Sequence, residues 1–434
     1  MNKKGINLPI ALPRGVKDFL PTVAGRINRI GDELSRVFEL WGYRGVMTPT
    51  IEYLDVLALA EPELLERMFK FEDRDSGKVI ALRPDITSQI ARLAATHLKD
   101  HAKPLRLHYS GSVLHYGERD KGSSREIYQS GLELIGLDQP EADGEIIAVA
   151  VEAMKATGLT DFKIDVGQVE FFRGVMEGLS LAEDVRRDVE IAVARKDRSG
   201  IEELLPSLNL GSRDEEALLA LPTLFGKREV LERAAVMTVS PRAQKALENL
   251  SEVLHTIDSY GLGDFITVDL GEIRGLNYYT GVIFEGFVTG LGEEICGGGR
   301  YDGLLGRYGN DQPATGFAIN VETLLKALEK QGETRGAGSP DFLLLNLGKE
   351  KHEALKVARH LRSKGLKVAR EIAKRDIGGS LAFASSEVID RLIIMGGNDL
   401  EKGHMLVKDI RNDKEEKVSI DDLISGAVDL ARRG

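Results

Sequence analysis

Three side chains near residue 276 have the types and spacing needed to hold a small polar ligand. Arg274 is followed by the adjacent pair Tyr278 and Tyr279, and this pair is flanked by Gly275 and Gly281. A phenolic hydroxyl both donates and accepts hydrogen bonds, whereas a guanidinium is a fixed cation with five N–H donors. Glycines leave the backbone accessible. This stretch therefore predicts a small polar pocket built on a sheet.

A second polar pair lies on a predicted hairpin. Leu105–Tyr116 alternates as an antiparallel strand, and residues 126–136 read as the returning strand. Gln129 and Glu133 are four residues apart and so lie on one face of that strand. Burying a carboxylate and an amide without partners costs about 1–3 kcal/mol each. The partner is either an ammonium ligand or a lysine or arginine of the protein, and the pattern leaves both open.

Asp85 and Thr87 follow a short predicted strand, Val79–Leu82, at the start of a predicted helix. Pro84 suits the first turn of such a helix, where its missing N–H costs nothing. The helix dipole stabilises a carboxylate at this end. Asp85 is therefore either a helix cap or part of a ligand site, with capping slightly favoured by the pattern alone.

Apolar periodicity predicts the elements that position these residues. A first helix carries one buried stripe and ends at Gly42, and Arg44–Thr50 then reads as a short strand closed by Pro49. The stripe by itself indicates no more than a core helix. It consists of Ile27, Ile30, Leu34, Val37, Phe38 and Trp41.

Alternation in the stretch 282–284 predicts a half-buried antiparallel strand directly after the two tyrosines. The three glycines at 297–299 predict a turn. Ala314–Asn320 then reads as a strand that leads into a helix over Val321–Leu328. These elements form the sheet on which the pocket is expected to lie.

The pattern predicts an α+β chain of two domains, over residues 1–330 and 340–434, joined by a linker at 331–339 (QGETRGAGS). Within the first domain, about 171–255 reads as a helical insertion. We expect a solvated face for its charges at Arg186, Arg187, Lys196, Asp197 and Arg198. Alternating strands and helices after the linker predict a small α/β domain.

Composition excludes several classes of protein. The 434 residues carry a net charge of −11, which argues against a general nucleic-acid binder. Residues 338–434 hold 18 basic and 16 acidic residues, a poor electrostatic footprint for tRNA. Lacking an apolar run of roughly 18 residues or a signal peptide, the chain is expected in the cytoplasm without a membrane contact. Its single cysteine, Cys296, fits a reducing compartment. We expect no metal site, because no Cys/His cluster has the required spacing.

The motifs R-G-L-x-Y-Y and G-G-G-R-Y-D-G-L, within 272–325, resemble those of the histidyl-tRNA synthetase family. The resemblance covers residues 13–434. It implies a class II aminoacyl-tRNA synthetase-like antiparallel sheet flanked by helices, followed by an anticodon-binding-like α/β domain. The helix, strand and proline at 27–50 resemble the first class II motif, which implies a dimer formed through the synthetase-like domain.

The resemblance also implies a site for histidine. Asp85 corresponds to a carboxylate for the α-ammonium group, with Thr87 beside it, while tyrosines and an arginine address the imidazole ring and the carboxylate. Two departures are mild, namely Asp85 and Asn277 in place of glutamate and aspartate. The implied histidine-binding residues are Asp85, Thr87, Gln129, Glu133, Arg274, Tyr278 and Tyr279.

Two further departures affect catalysis. Class II synthetases stabilise the α-phosphate of ATP with arginines of their second and third motifs, where this chain has His115 and Thr323. Arginine suits phosphate because its planar fork donates two parallel hydrogen bonds. Loss of one such donor typically costs roughly 10² to 10³ in rate. Arg119 or Arg125 could replace one of the lost groups, but neither obviously replaces both.

Other segments resemble the family of ATP phosphoribosyltransferase regulatory subunits, notably SGSVLHY, SREIYQSGLELIG, IDVGQVEFFRGVMEGL and VARKD. This resemblance implies a chain with no catalytic residues and no cofactor. Its implied partners are the short catalytic subunit of ATP phosphoribosyltransferase, in the first step of histidine biosynthesis, and free L-histidine as feedback inhibitor. The alternative is an active histidyl-tRNA synthetase.

Overall fold

The computed structural model describes residues 11–60, 62–116, 124–179, 181–276, 278–332, 339–348, 351–397 and 402–430. Three features of the sequence analysis lie outside these ranges. They are Asn277, Arg119 and residues 333–338 of the expected linker. The division into domains at 331–339 therefore stays a prediction.

The described residues form strands in three sheets. In chain order the strands are β1 (Arg44–Gly45), β2 (Ile51–Tyr53), β3 (Lys70–Glu72), β4 (Val79–Leu82), β5 (Leu105–Leu114), β6 (Glu126–Ile135), β7 (Lys163–Gln168), β8 (Phe225–Gly226), β9 (Ile266–Asp269), β10 (Val282–Phe287), β11 (Cys296–Arg300), β12 (Ala314–Asn320), β13 (Phe342–Asn346), β14 (Val368–Arg370), β15 (Arg391–Met395), β16 (His404–Asp409) and β17 (Lys414–Ser419).

The α-helices lie before, between and after these strands. In chain order they are α1 (Pro21–Leu40), α2 (Leu54–Ala60), α3 (Thr87–Thr96), α4 (Pro140–Ala156), α5 (Val169–Gly178), α6 (Glu183–Ala194), α7 (Arg198–Leu208), α8 (Ser212–Ala220), α9 (Glu229–Met237), α10 (Pro241–Ser259), α11 (Val321–Lys330), α12 (His352–Ser363), α13 (Ile377–Ser386) and α14 (Ile420–Ser425). Short 3-10 helices span Pro62–Arg67, Leu221–Thr223, Gly263–Phe265 and Leu305–Tyr308.

A nine-stranded sheet in the order β1-β5-β6-β12-β11-β10-β7-β9-β8 is the framework of the larger part of the chain. Its six central strands pair antiparallel throughout; in sheet order they are β5, β6, β12, β11, β10 and β7. Parallel pairs occur only outside them, at β1 with β5 and β7 with β9. The predicted α+β class, with an antiparallel sheet flanked by helices, is confirmed.

Helices cover one face of this sheet, and the other face is only partly covered. On the first face α4 packs against β11 and β12, and α10 packs against β7 and against α4. On the second face α3 forms a core with β5, in which Ile90 and Ala94 of the helix meet Leu105, Leu107 and Tyr109. The cavities described below lie on the rest of the second face, over β6, β12, β11 and β10.

The chain divides into two units, each with its own sheet. One comprises residues 27–334 with the N-terminal residues through Asp18, and the other comprises residues 335–434 with 19–26. Within the second unit, a five-stranded sheet has the order β14-β13-β15-β16-β17, with its first three strands parallel. Leucines of β13 point alternately into two cores on opposite faces of this sheet. The last strand, β17, escaped the sequence analysis because it is exposed and highly charged.

Two predictions for the pocket region are wrong in detail. The strand after the tyrosines, β10, is buried along both faces rather than half-buried, because it is central in the sheet. The glycines at 297–299 belong to strand β11 and do not form a turn. A side chain at Gly298 would collide with the backbone of Gly316 and with Phe317, so glycine here permits close strand packing.

Two further predictions are corrected by the structure. The strand expected over Arg44–Thr50 is limited to Arg44–Gly45, and the helix expected from Pro84 begins at Thr87. Lys196 is exposed, as expected, but its Nζ also lies 2.6 Å from Oδ1 of the buried Asp269 at the end of β9. The insertion is therefore tied to the sheet through this ion pair.

Candidate functional site

Small residues in the middle of the large sheet create the space for a site. Strand register places Glu133, Gly316, Gly299 and Ile283 in one row across β6, β12, β11 and β10. The next row contains Gly131, Ala318, Gly297 and Glu285. Directly paired residues share a face, so glycine and alanine form a floor with a carboxylate at each side.

This floor carries two adjoining cavities. The first, of about 400 Å³, is lined by six of the seven predicted residues, and the seventh, Arg274, lines the second cavity of about 340 Å³. We call the first the amino-acid cavity and the second the adjoining cavity. The six residues in the amino-acid cavity are Asp85, Thr87, Gln129, Glu133, Tyr278 and Tyr279.

Glu133 is the central carboxylate of the amino-acid cavity, and its side chain is 1% exposed. The Thr87 hydroxyl donates to its Oε1 at 2.8 Å, Tyr109 donates to the same atom at 3.4 Å, and Tyr301 donates to Oε2. Burial raises the pKa of Glu133 to about 8, although the hydroxyl donors oppose this shift. The group is a hydrogen-bonded acceptor poised to pair with a cation.

Asp85 satisfies both interpretations offered by its sequence position. Its Oδ1 accepts from the Ser88 backbone N–H at 3.2 Å in the first turn of α3, and the residue also lines the cavity. Burial raises the pKa of Asp85, and the hydrogen bonds from the backbone of Ser88 and Thr87 lower it only in part. A buried carboxylate, Glu133, and a half-buried one, Asp85, therefore face one small space.

The two tyrosines stand on a tight loop held from behind by an arginine. The N–H groups of Tyr278 and Tyr279 both donate to Gly275 O, and Gly275 has φ +67°, which favours glycine. Arg173 of α5 donates to the carbonyl of Leu276 and, at 3.1 Å, to that of Tyr279. The motif VEFFRGV thus positions the tyrosine loop.

Tyr301 is a site residue that the sequence analysis missed. Its ring stacks on Tyr278 with centroids 5.5 Å apart, and its hydroxyl donates to Glu133. The preceding Arg300 points to the opposite face, where its Nε donates to the buried Asp143 at 2.9 Å. The signal was present in the motif G-G-G-R-Y-D-G-L, since an arginine fixed beneath the sheet turns the next side chain into the cavity.

Arg274 is surrounded by carboxylates in the adjoining cavity. Its Nε and one Nη donate to the two oxygens of Glu272 at 3.1 and 2.9 Å. The same guanidinium pairs with Glu285, and Glu294 lies 3.7 Å away. Although partial burial opposes it, the contact with Glu272 and the charge of Glu285 raise the pKa of Arg274.

The residues at the two expected arginine positions are placed differently. His115 lines both cavities. Thr323 is buried in the first turn of α11, where its N–H donates to Asn320 Oδ1 at 3.2 Å, and it lines neither cavity. Arg125 lies over the rings of Phe69 and Tyr116, 5.9 and 5.5 Å from their centroids, and also lines neither cavity.

Within the described ranges, no group of three or more His, Cys, Asp and Glu side chains has the geometry to hold a metal ion. No helix in the same ranges is both long and apolar enough to cross a membrane. Cys296 lines the adjoining cavity but is buried, and burial raises the pKa of its thiol well above the usual range. The neutral thiol is a poor nucleophile.

Sequence profiles of two families match the chain. The profile of the histidyl-tRNA synthetase family matches residues 15–324, and that of the anticodon binding domain matches residues 341–430. A solved structure of histidyl-tRNA synthetase from Nostoc superposes with a TM-score of 0.84 at 23% identity, covering 97% of this chain and all of the other. At that identity the likeness concerns the fold alone.

Curated relatives are more similar in sequence. The ATP phosphoribosyltransferase regulatory subunit of Syntrophotalea carbinolica is 45% identical over 98% of this chain and 99% of its own length. That of Geobacter metallireducens is 48% identical over 89% of each chain. A structure from Bacillus halodurans described as ATP phosphoribosyltransferase regulatory subunit/histidyl-tRNA synthetase has a TM-score of 0.79 at 32% identity, covering 90% of this chain and 99% of the other.

Proposed function

The chain belongs to the histidyl-tRNA synthetase family and, within it, to the ATP phosphoribosyltransferase regulatory subunits, and from this premise we propose that its amino-acid cavity senses free L-histidine. The observation that carries the proposal is the arrangement around Glu133. The buried carboxylate of Glu133, the half-buried carboxylate of Asp85 and several hydroxyls face a cavity of about 400 Å³, in which no arginine or lysine is among the lining residues described. An ammonium ligand is the partner that such a site lacks.

Histidine matches these groups one by one. Its α-ammonium group donates to the carboxylates of Asp85 and Glu133, which both line the cavity. The amide of Gln129 and the tyrosine hydroxyls supply donors for the carboxylate, and the ring stacks within the wall formed by Tyr278 and Tyr301. Arg274 is a weaker candidate for the carboxylate, because three carboxylates already surround it.

The same site is poorly equipped to activate an amino acid with ATP. The two positions where class II synthetases clamp the α-phosphate hold His115, which is not a bidentate donor, and Thr323, which is buried away from both cavities. Electrostatic stabilisation by preorganised donors is typically the largest single contribution to such a reaction. We therefore assign no catalytic residue and no cofactor to this chain.

The names of the relatives indicate the partner. A regulatory subunit acts on a catalytic one, so we propose a complex with the short catalytic subunit of ATP phosphoribosyltransferase, which needs this chain for full activity and is inhibited when histidine binds here. The two sites must then be coupled, and such coupling is typically worth about 1–3 kcal/mol. The single cysteine is a buried thiol, which suits the cytoplasm as the location of the complex.

Self-association as a dimer is supported by an exposed apolar surface. In the three-stranded sheet β2-β4-β3, Tyr53 and Phe71 both pair with Ile80 and so share one face with Ile51. Ile51, Tyr53 and Phe71 are 48%, 39% and 44% exposed. Replacing Ile51 with lysine should convert a dimer into a monomer in light scattering, whereas an unchanged mass would remove this surface from the interface.

Calorimetric titration of the purified chain with L-histidine tests the central proposal, with L-phenylalanine as the matched control ligand. We expect saturable binding of histidine alone. A parallel assay of ATP–pyrophosphate exchange should show no histidine-dependent signal. Absence of histidine binding would overturn the sensor role.

The second candidate function is histidine–tRNA ligation, favoured by the match of residues 341–430 to the anticodon binding domain. Charging of histidine tRNA by this chain alone would establish it. His115 and Thr323 argue against it, and the near balance of charge in the C-terminal domain makes tRNA a poor partner.

A further inference from the structure

The adjoining cavity is acidic although it contains an arginine. Among the described residues that line it, Arg274 is the only arginine or lysine, and its guanidinium contacts Glu272, Glu285 and Glu294. Burial and the neighbouring carboxylates raise the pKa of Glu285 to about 8, so Glu272 and Glu294 carry the surplus negative charge at pH 7, and Glu285 adds to it above pH 8. Any anion that enters this space meets a guanidinium that is already engaged.

A further carboxylate lies behind this group. Asp165 of β7 is directly opposite Glu285 in the strand register. The nearby Asp269 is paired with Lys196 at 2.6 Å, so this aspartate adds little charge of its own. Carboxylates placed opposite one another across antiparallel strands repel. The β10 side of the floor is therefore a region in which additional negative charge is strongly disfavoured.

The adjoining cavity is a continuation of the amino-acid cavity. The two share His115, Gln129, Gly275, Tyr279, Glu294, Gly297, Gly298 and Ala318 in their walls. With strands spaced about 4.8 Å apart, the strands of Glu133 and Glu285 are separated by about 14 Å across the floor. A free amino acid spans only part of that distance, so a larger ligand that keeps the same head group extends toward Glu285 and Glu294.

We propose that Glu285 and Glu294 make the adjoining cavity reject anions, so that the site discriminates against ligands that extend an amino-acid head group with a phosphate. This inference rests on the proposed binding of histidine in the amino-acid cavity. It assigns two specificity-determining residues that act by repulsion. Such rejection excludes nucleotides as well as small phosphate esters, and it is independent of the residues at 115 and 323.

The test uses two probes that differ only by a phosphate, namely L-histidinol and L-histidinol phosphate, titrated into the full chain at pH 8.5, where most of Glu285 is ionised. Both present the imidazole and the ammonium group, and only the second places negative charge toward the adjoining cavity. We expect the phosphate ester to bind roughly 10- to 100-fold more weakly than the alcohol. The double variant Glu285→Gln and Glu294→Gln should reduce this ratio at least about threefold to tenfold.

Glu293→Gln is the matched control. Glu293 is adjacent in sequence but exposed, lies 2.8 Å from Lys326, and lines neither cavity. Its variant should keep the wild-type ratio. A thermal unfolding curve and the affinity for histidine itself report whether each variant is folded with an intact amino-acid cavity.

The possible outcomes separate the two proposals. If histidine and L-histidinol bind but the phosphate ester binds equally well, the inference is overturned while the histidine site stands. A wild-type ratio that survives unchanged in the double variant also overturns the assignment to these two residues. If neither histidine nor L-histidinol binds, the proposed function itself fails.

Discussion

The two cavities each contain a buried glutamate whose pKa is raised to about 8, yet the two groups are prepared for opposite tasks. Glu133 in the amino-acid cavity is raised mainly by burial and is surrounded by the hydroxyls of Thr87, Tyr109 and Tyr301. Glu285 in the adjoining cavity is raised by burial and by the neighbouring Glu294 and Glu272, while it pairs with Arg274.

The difference lies in what each carboxylate still lacks. Hydroxyl donors leave Glu133 without a cationic partner, so a ligand ammonium group completes its surroundings. Glu285 already has a guanidinium, shared with two other carboxylates. A perturbed pKa thus identifies a candidate functional region, but the identity of the neighbouring groups decides whether that region attracts or repels a ligand.

The largest expected effect comes from adding one methyl group on the Glu133 side of the floor. An alanine Cβ at Gly316 would collide with the carboxylate of Glu133 and the backbone of Leu132. Gly316→Ala should therefore abolish detectable histidine binding in calorimetry and lower the free energy of unfolding by about 1–3 kcal/mol.

Gly297→Ala provides the control, because its Cβ would meet nothing closer than Phe284 O at 3.9 Å. We expect its unfolding free energy to stay within about 0.5 kcal/mol of wild type. If both alanines were tolerated equally, the close packing of Gly316 against Glu133 would not be a requirement of the site.

The second prediction separates the two carboxylates directly. Glu133→Gln removes the charge but keeps the shape, so histidine affinity should fall by about 10- to 100-fold, because a charge-assisted hydrogen bond contributes about 1.5–3 kcal/mol. Glu285→Gln should change the affinity for histidine less than about threefold, because this substitution alters the ion pair with Arg274, which lies outside the amino-acid cavity. Calorimetry on both variants measures the contrast, and equal losses would contradict it.

The third prediction concerns protons. With a pKa of about 8, Glu133 is mostly protonated in the empty cavity at pH 7, whereas an ammonium ligand pairs with the carboxylate. Binding should therefore release close to one proton, and histidine affinity should rise up to about tenfold between pH 7 and 8. Titrations in buffers of different ionisation enthalpy count the protons. Asp85, whose pKa is also raised, faces the same space and contributes in the same direction.

The stability of the protein without ligand provides the control for this proton count. Since the folded pKa of Glu133 lies above its ordinary value of 4.5, the folded state holds more protons between these values, and the unfolding free energy falls as pH rises from about 4.5 to about 8. Glu285 contributes a similar decline. Saturating histidine should remove the shares of Glu133 and Asp85 and leave that of Glu285, and Glu133→Gln should remove the share of Glu133. If the unfolding free energy fell just as much with pH in the presence of histidine, the assignment of this fall to Glu133 would be contradicted.

The smallest expected effect comes from the loop that both cavities share. Arg173 holds this loop through the carbonyls of Leu276 and Tyr279, so Arg173→Met should weaken histidine binding about threefold to tenfold. Arg173 and Arg242 both pair with Glu170, but only Arg173 donates to the loop carbonyls. Arg242→Met should therefore leave the affinity within about twofold of wild type. Fluorescence or calorimetric titration measures both, and equal effects would mean that Glu170, rather than the loop, is responsible.

The sequence predicts most of the fold because its periodicities are strong where burial is one-sided. The stripe from Ile27 to Phe38 is buried in α1, and the hairpin carrying Gln129 and Glu133 forms β5 and β6. Periodicity fails where tertiary packing decides instead. The three glycines of β11 have the composition of a turn, and only their neighbours in β10 and β12 explain a strand there.

The site is predicted less completely. Motif resemblance identified six residues that the fold brings into one cavity from the start of α3, from β6 and from the tyrosine loop. Arg274 lies in the neighbouring cavity instead, where Glu272, two residues earlier, binds its Nε and one Nη. Tyr301 could not be assigned by type alone, because its role depends on Arg300 being held by Asp143 on the far face.

The glycine and alanine floor has a consequence for how this protein could change its ligand over evolutionary time. The row that contains Gly316 and Gly299 exposes only backbone, so no side chain there can change its rotamer. The extent of the floor across the strands is then set by the spacing between the strands and is essentially invariant. New preferences must then arise in the surrounding walls, through α3 and the tyrosine loop. The sheet therefore fixes the dimensions of the space, and the side chains of the walls determine which ligand fits it.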